Sequence, residues 1–428
     1  LNHYTVKVCG LGTALDAGQE HNVKARTVRT ALRIAVIAAA FACAAPLTSA
    51  FAVSTVEFLS SLTDPEVENF QAWKAARNTY EQQLDSYWDK VDAKRAERKK
   101  KRATKTPFDA SDYVMAFPPV YSGPKLAPAL AAKYQRFTEA QEKAQPTPPK
   151  DMATVADYLD AAKRVYNFTP ERLSEKEFKR RYAEEAIALG LSKDQVVRVY
   201  ALETGGIGTY DMQAGIHPIK KTGRAISSAL GYAQLLDANS VNELSQHGQL
   251  FLDRLVSKSK NPNLTAERRA VLKNKIAAVR KMYANAKRQP FEWEHHQAYA
   301  KTPDGMGMHT LNLDADVGPM LQAIKLKGLK DTAIKFDRPS LTGAEMELMN
   351  LSGPVTGLEM MMPYGRKAPV TNSFTRRAYY VNKMVVGLTG EQLLAELDRR
   401  MDESMKTPGS QEFASAFESV VKGRTAGR

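Results

Sequence analysis

Residues 196–236, VVRVYALETGGIGTYDMQAGIHPIKKTGRAISSALGYAQLL, decide how this chain is read. Just upstream, Ser192-x-x-Gln195 is a capping box, so a helix opens there. Val196, Val197, Val199, Tyr200 and Leu202 make that helix apolar nearly all round, the pattern of a buried helix. Its last turn carries one carboxylate, Glu203, and Gly205-Gly206 stop it. A charge on a buried helix is costly unless it has a partner or reaches a cleft. Further on, Ser227-Ser228-Ala229-Leu230-Gly231-Tyr232-Ala233-Gln234 reads as a turn of small residues.

Helices flank this centre. Ser174-x-x-Glu177 is a second capping-box pattern, opening a helix that stops at Gly190. Downstream, the periodicity predicts helices over 312–326, 345–351 and 391–405. A basic amphipathic helix over 265–287 reads as part of an excursion from the core, near 245–310. No run of alternating strands and no internal repeat is present. The expected fold is therefore mostly α, with its main domain over 151–405 and a flexible tail over 406–428. Upstream, 53–105 reads as a helical arm. Phe70, Trp73, Tyr80, Leu84 and Tyr87 recur in it at helical spacing, and then the apolar positions stop. The arm ends in the run KRAERKKKR, from Lys94 to Arg102, expected to be solvated or to meet an anionic wall or membrane surface. Residues 106–150 form a proline-rich linker. Within it, Phe117-Pro118-Pro119-Val120-Tyr121 is expected to pack as an extended strap, with a short helix over 127–143.

The chain has 428 residues, 43% of them apolar, and carries a net charge of +14. That is enough apolar residue for a sizeable core. Residues 23–52 read as a secretory signal: Lys24, Arg26, Arg29 and Arg33, then an apolar stretch to about Leu47, then Ala50-Phe51-Ala52. Cleavage is expected after Ala52, with the true start near Val23 or Val28, and a periplasmic address. Cys9 and Cys43 both fall in the removed part, so the mature chain would be held by its core without a disulfide. Residues 1–52 hold five Lys/Arg and two Asp/Glu, which leaves +11 for the mature chain. After export, the abundant anionic partners are cell-wall polymers and membrane surfaces. There is no base-reading module, so nucleic acid is not an expected partner.

Glu203-Thr204-Gly205-Gly206 followed by Ser228-Ala229-Leu230-Gly231-Tyr232-Ala233-Gln234-Leu235 resembles the soluble lytic transglycosylase family, relatives of goose-type lysozyme. That family has a Glu-Ser-x-x motif at a helix end and then a Gly-Ala-x-Gly-Leu-Met-Gln turn. Here Thr204 replaces the serine, Ser228 the first glycine, and Tyr232-Ala233 the Leu-Met pair. The family's Tyr-Asn-x-Gly-Pro block has a loose counterpart in Met349-Asn350-Leu351-Ser352-Gly353-Pro354, with one extra residue and no tyrosine. Its closing Tyr-Val segment corresponds to Ala378-Tyr379-Tyr380-Val381. The resemblance spans roughly 185–390 and implies a lysozyme-like catalytic domain acting on peptidoglycan glycan strands. It implies Glu203 as sole acid and base, assisted by the substrate's own N-acetyl group, and a 1,6-anhydro product. It further implies that Gln234 lines the cleft, that Ser228 and Asn350 position sugar hydroxyl or acetamido groups, and that Tyr380 sits near Glu203.

The chemistry fits those residue types. Cleaving a glycosidic bond needs an acid that still holds its proton near neutral pH, and an apolar, aromatic setting favours the protonated carboxyl. Tyr200, Tyr210 and Tyr232 are the expected walls. A two-carboxylate hydrolase also needs a second Asp or Glu across the bond; Asp211 and then Asp237 are the nearest, and no motif places either. Glu292-Trp293-Glu294-His295-His296 lacks the i,i+4 spacing of a metal pair, so no metal and no cofactor are expected. The alternative to an enzyme is a catalytically inactive wall-binding or scaffolding protein that kept the fold, motivated by the departures at Thr204, Tyr232-Ala233 and Met349.

Overall fold

The computed structural model describes residues 55–144 and 152–426. The expected signal, its cleavage site at Ala52 and both cysteines lie outside the described residues. Among the described residues the fold is all helix: a few isolated bridges occur, but no strand. None of these helices is long and apolar enough to cross a membrane.

The chain falls into two compact units. The smaller takes in 55–85 and 119–144. It contains α1 (Thr55–Ser60), the first part of α2 (Asp64–Ala103) and α3 (Pro128–Ala144). Its core is aromatic. Phe58 stacks on Phe137 at 4.7 Å and meets Phe70 edge-on at 5.4 Å, and Trp73 packs on Tyr134 at 5.2 Å. Asn69 accepts the Ala127 amide, and Glu66 takes the Lys133 ammonium at 2.8 Å, which closes α3 onto α2.

The larger unit takes in 86–118 and 152–426. Its helices are the end of α2, then α4 (Val155–Tyr166), α5 (Glu175–Ala188), α6 (Lys193–Thr204), α7 (Asp237–Ser259), α8 (Ala266–Lys287), α9 (Trp293–Ala300), α10 (Pro303–His309), α11 (Gly318–Lys335), α12 (Gly343–Ser352), α13 (Pro354–Met360), α14 (Pro363–Lys367), α15 (Arg376–Val381), α16 (Gly390–Met405) and α17 (Pro408–Ala426). The caps read from sequence set the boundaries. Ser174 accepts the Glu177 amide, and Ser192 and Gln195 exchange both capping bonds. The helix expected over 312–326 begins instead at Gly318, because residues 310–313 form a 3-10 turn held by Asn312.

Four expectations are corrected. The stretch near 245–310 is no excursion: Val241, Leu244 and Phe251 of α7, Leu272, Val279 and Met282 of α8, and Met308 and Leu311 all lie in one large apolar cluster. An ion cluster pins α8 further. The buried Lys275 ammonium lies 2.9 Å from Asp314 and 2.5 Å from Asp316, and Arg268 reaches Asp316 at 2.8 Å. Second, 406–428 is not a loose tail over its described part, since α17 buries Phe413 and Phe417. Phe413 packs within 5.3–5.7 Å of Tyr200, Tyr182 and Tyr232. Third, the run from Lys94 to Arg102 is solvated on one face only, where Glu97, Lys99 and Lys100 are exposed. Arg95, Arg98 and Arg102 continue the three- and four-residue spacing of Tyr87 and Val91, and so share that helix face. Arg95 donates to the carbonyls of Thr371 and Phe374; Arg98, 1% exposed, donates to those of Asp112 and Asn372; Arg102 meets Glu359. Fourth, the strap expected over 117–121 packs only in part: Phe117 and Val120 are exposed, while Tyr121 meets Tyr80 of α2 edge-on at 5.5 Å. The anchor lies earlier, where Asn372 pairs with both the amide and the carbonyl of Val114.

Candidate active site

Glu203 is placed by two helices that run side by side in the same direction. At their starts, Asp194 accepts the Gly343 amide at 2.5 Å, and Gln195 donates to the Leu341 carbonyl at 2.9 Å. A Cβ on Gly343 would stand 2.7 Å from the Asp194 carbonyl, so glycine permits the close approach. At their ends, the Asn350 side-chain amide donates to Glu203 Oε1 at 2.8 Å. A sequence separation of 147 residues is thus closed by one hydrogen bond at the carboxylate that the first motif singled out. The second amide hydrogen of Asn350 goes to Glu347 Oε2 at 3.1 Å. Asn350 is not the C-cap of α12; Gly353 is.

The glycine pair after Glu203 has distinct tasks. Gly205 caps α6 at φ +61° with open space beside it. Gly206, at φ +68°, sits where a Cβ would lie 2.0 Å from Thr407 Oγ1, and its carbonyl accepts that hydroxyl. The α16–α17 junction therefore presses on the end of α6. Thr204 faces inward and donates its hydroxyl to the Tyr200 carbonyl at 2.7 Å.

The second motif is placed differently from expectation. Gln234 is buried, with φ +42°, and spends its amide on the carbonyls of Gly231 at 2.7 Å and Met212 at 3.4 Å. It braces the turn and does not line a cleft. Ser228, also buried, accepts the Asp237 amide and donates to its carboxylate at 2.9 Å, which starts α7. Its carbonyl takes the Nε2–H of buried His309, whose Nδ1 accepts the Ser240 hydroxyl at 2.8 Å. Burial lowers the His309 pKa, which favours the neutral imidazole. Gly231 lies against Gln322 of α11, which accepts the Tyr232 amide at 2.8 Å.

Tyr200, Tyr210 and Tyr232, the expected walls, form core. Tyr232 is wholly buried among Tyr200, Phe178, Tyr182 and Phe413, and donates its hydroxyl to Glu175 Oε2. Burial raises the Glu175 carboxyl, against the opposing pull of the Tyr232 and Tyr210 donors. Tyr210 stacks on Phe178 at 4.4 Å and donates its hydroxyl to the Leu173 carbonyl. Tyr380 is exposed and packs edge-on against Tyr379 and Trp88. Asp211 is tied into its own loop by Thr209, by Arg172 at 2.7 Å and by Lys221 at 3.2 Å. Burial alone would raise its pKa, but those three donors bring it below the usual value.

Of the residues singled out from sequence, the structure therefore brings Glu203 and Asn350 together. Gln234, Ser228, Tyr232 and Tyr210 hold the turn and core behind them. Two carboxylates were not singled out. Glu347 carried a legible signal: it is the lone charge among Met346, Leu348, Met349 and Leu351, one helical turn before Asn350. Glu175 looked like an ordinary first-turn acid.

No family model, curated protein or solved structure matches this chain. A partly buried carboxylic acid with one oxygen held by a neutral amide can exchange a proton at a bound substrate. Asp211 is bound in its own loop, and the carboxylate that the structure places beside Glu203 is Glu347, which shares the Asn350 amide with it.

Proposed function

We propose that the chain is an exported, lytic transglycosylase-like enzyme that cleaves the MurNAc–GlcNAc bond of peptidoglycan. Glu203 gives its proton to the glycosidic oxygen as the C1–O bond breaks, and the substrate's acetamido group supports the developing charge. The carboxylate then takes the proton of the C6 hydroxyl as that oxygen attacks C1. The products are a 1,6-anhydro end and a free GlcNAc hydroxyl, and Glu203 ends protonated as it began. The observation that carries this reading is the Asn350–Glu203 hydrogen bond, which joins two blocks of the same family resemblance. The pairing of Asp211 with Arg172 and Lys221 supports the single-acid route over a two-carboxylate hydrolase.

The test is mass spectrometry of the soluble products from purified sacculi. Anhydro-muropeptides are expected; reducing-end products alone would replace the transglycosylase with a hydrolase. The inward placement of Gln234 favours a second reading, an inactive peptidoglycan-binding protein of the same fold. Sacculus binding without any released product would establish it.

A further inference from the structure

We propose that Glu347 is the positioning residue of this site: it orients the Asn350 amide, and through it the Glu203 carboxyl. This rests on the enzymatic reading above. A primary amide has two N–H bonds about 120° apart and cannot aim one without fixing the other. Asn350 sends one to Glu203 Oε1 at 2.8 Å and the other to Glu347 Oε2 at 3.1 Å. With Glu347 accepting, the amide plane is set and Asn350 cannot flip to turn its carbonyl oxygen toward Glu203.

The setting of Glu347 argues for a task. It is 0% exposed, on α12 between Met346, Leu348 and Met349, all fully buried. A carboxyl in such a place is costly unless it is hydrogen-bonded, and an apolar residue would pack there without that cost. One helical turn separates Glu347 from Asn350, the spacing at which two side chains on one helix meet. The acceptor that fixes Asn350 thus belongs to the same rigid element as Asn350 itself. The facing helix, α6, is pinned to α12 at its far end by Asp194 and Gln195. Glu203 is therefore positioned by elements that do not depend on a loop.

The test uses the full chain acting on soluble glycan strands, with kcat and KM measured separately. Glu347→Leu removes the acceptor and keeps the site apolar. It is expected to lower kcat about 10- to 100-fold with KM little changed, as for loss of a group that orients a reacting residue. Glu347→Gln keeps an acceptor oxygen and should recover at least about tenfold of that loss. A double-substitution cycle decides whether the two residues act as a unit. In an Asn350→Leu background, either substitution at Glu347 should cost nothing further. If the leucine variant does not fold, Glu347→Met, unbranched and without a carboxylate acceptor, takes its place in the cycle. Wild-type kcat in Glu347→Leu, independent losses that multiply in the double variants, or a loss carried by KM would overturn the assignment. Those outcomes leave the enzymatic reading standing. A wild-type protein with no turnover on any glycan strand removes that reading and this inference with it.

Discussion

Replacing Glu243 with glutamine should stabilise this protein at pH 8 and leave it nearly unchanged at pH 5. Glu243 lies on α7, only 8% exposed, with Asn242 donating to it at 3.3 Å and His247 3.6 Å away. Burial, opposed in part by Asn242 and Lys325, raises its carboxyl from 4.5 to about 7. Below pH 4.5 the folded and unfolded states both hold this proton. Between 4.5 and 7 the folded state keeps it and the unfolded state has lost it, so stability falls as pH rises. Across that window of about 2.5 units, at 1.36 kcal/mol per unit, the loss is on the order of 3 kcal/mol. Glutamine has the same shape and no proton to lose, so its stability has no such slope. The difference in Tm between variant and wild type should grow from near zero at pH 5 to roughly 6 °C at pH 8, taking about 2 °C per kcal/mol for a unit of this size. Other titrating groups are common to both proteins and cancel in the difference. A pH-independent difference, or a destabilised variant at pH 8, would refute the reasoning by showing Glu243 ionised and well paired in the fold.

Phe413→Ala should cost about 3–5 kcal/mol by urea denaturation, the usual loss for a buried ring, because α17 fills the tyrosine core; a change within the surface range of ±0.5 kcal/mol would restore the loose tail. Gly206→Ala should cost at least about 2 kcal/mol by the same measurement, since a Cβ there meets Thr407 Oγ1 and the Ser404 carbonyl at positive φ. Gly205→Ala, in open space, should cost only about 1 kcal/mol. His309 is held neutral by burial, so its contribution is complete above the ordinary value of 6.5 and is lost as pH falls below it, by up to about 1.4 kcal/mol per unit. Wild-type protein should lose urea midpoint between pH 6.5 and 5 more steeply than His309→Gln, and parallel slopes would remove that role.

Where backbone chemistry is local, the sequence was readable. The bounds of α6 follow from Ser192, Gln195 and Gly205, and Glu203 and Asn350 were each singled out by a short motif, though the hydrogen bond between them was not foreseen. Failure came where a residue type does not say which way it faces. Tyr232 and Gln234 stand at motif positions, yet the turn rolls both inward, because Gln322 takes the Tyr232 amide and Glu175 its hydroxyl. The arginines of the basic run were legible only by phase: Arg95, Arg98 and Arg102 extend the stripe of Tyr87 and Val91, but a count of charges conceals it. The carbonyls that Arg95 and Arg98 reach at Thr371, Phe374 and Asn372 lie nearly 280 residues away, which no local pattern announces. In α17 the signal was present, since Phe413 and Phe417 are one turn apart, and position at the chain end outweighed it.

The central claim is that Glu203 alone carries the proton. Its most direct test is digestion of purified sacculi by wild type and by Glu203→Gln, with the soluble products weighed by mass spectrometry and the fold of both proteins checked by circular dichroism. The account predicts 1,6-anhydro-muropeptides from wild type and none from the folded glutamine variant. Equal release by the two proteins would contradict it.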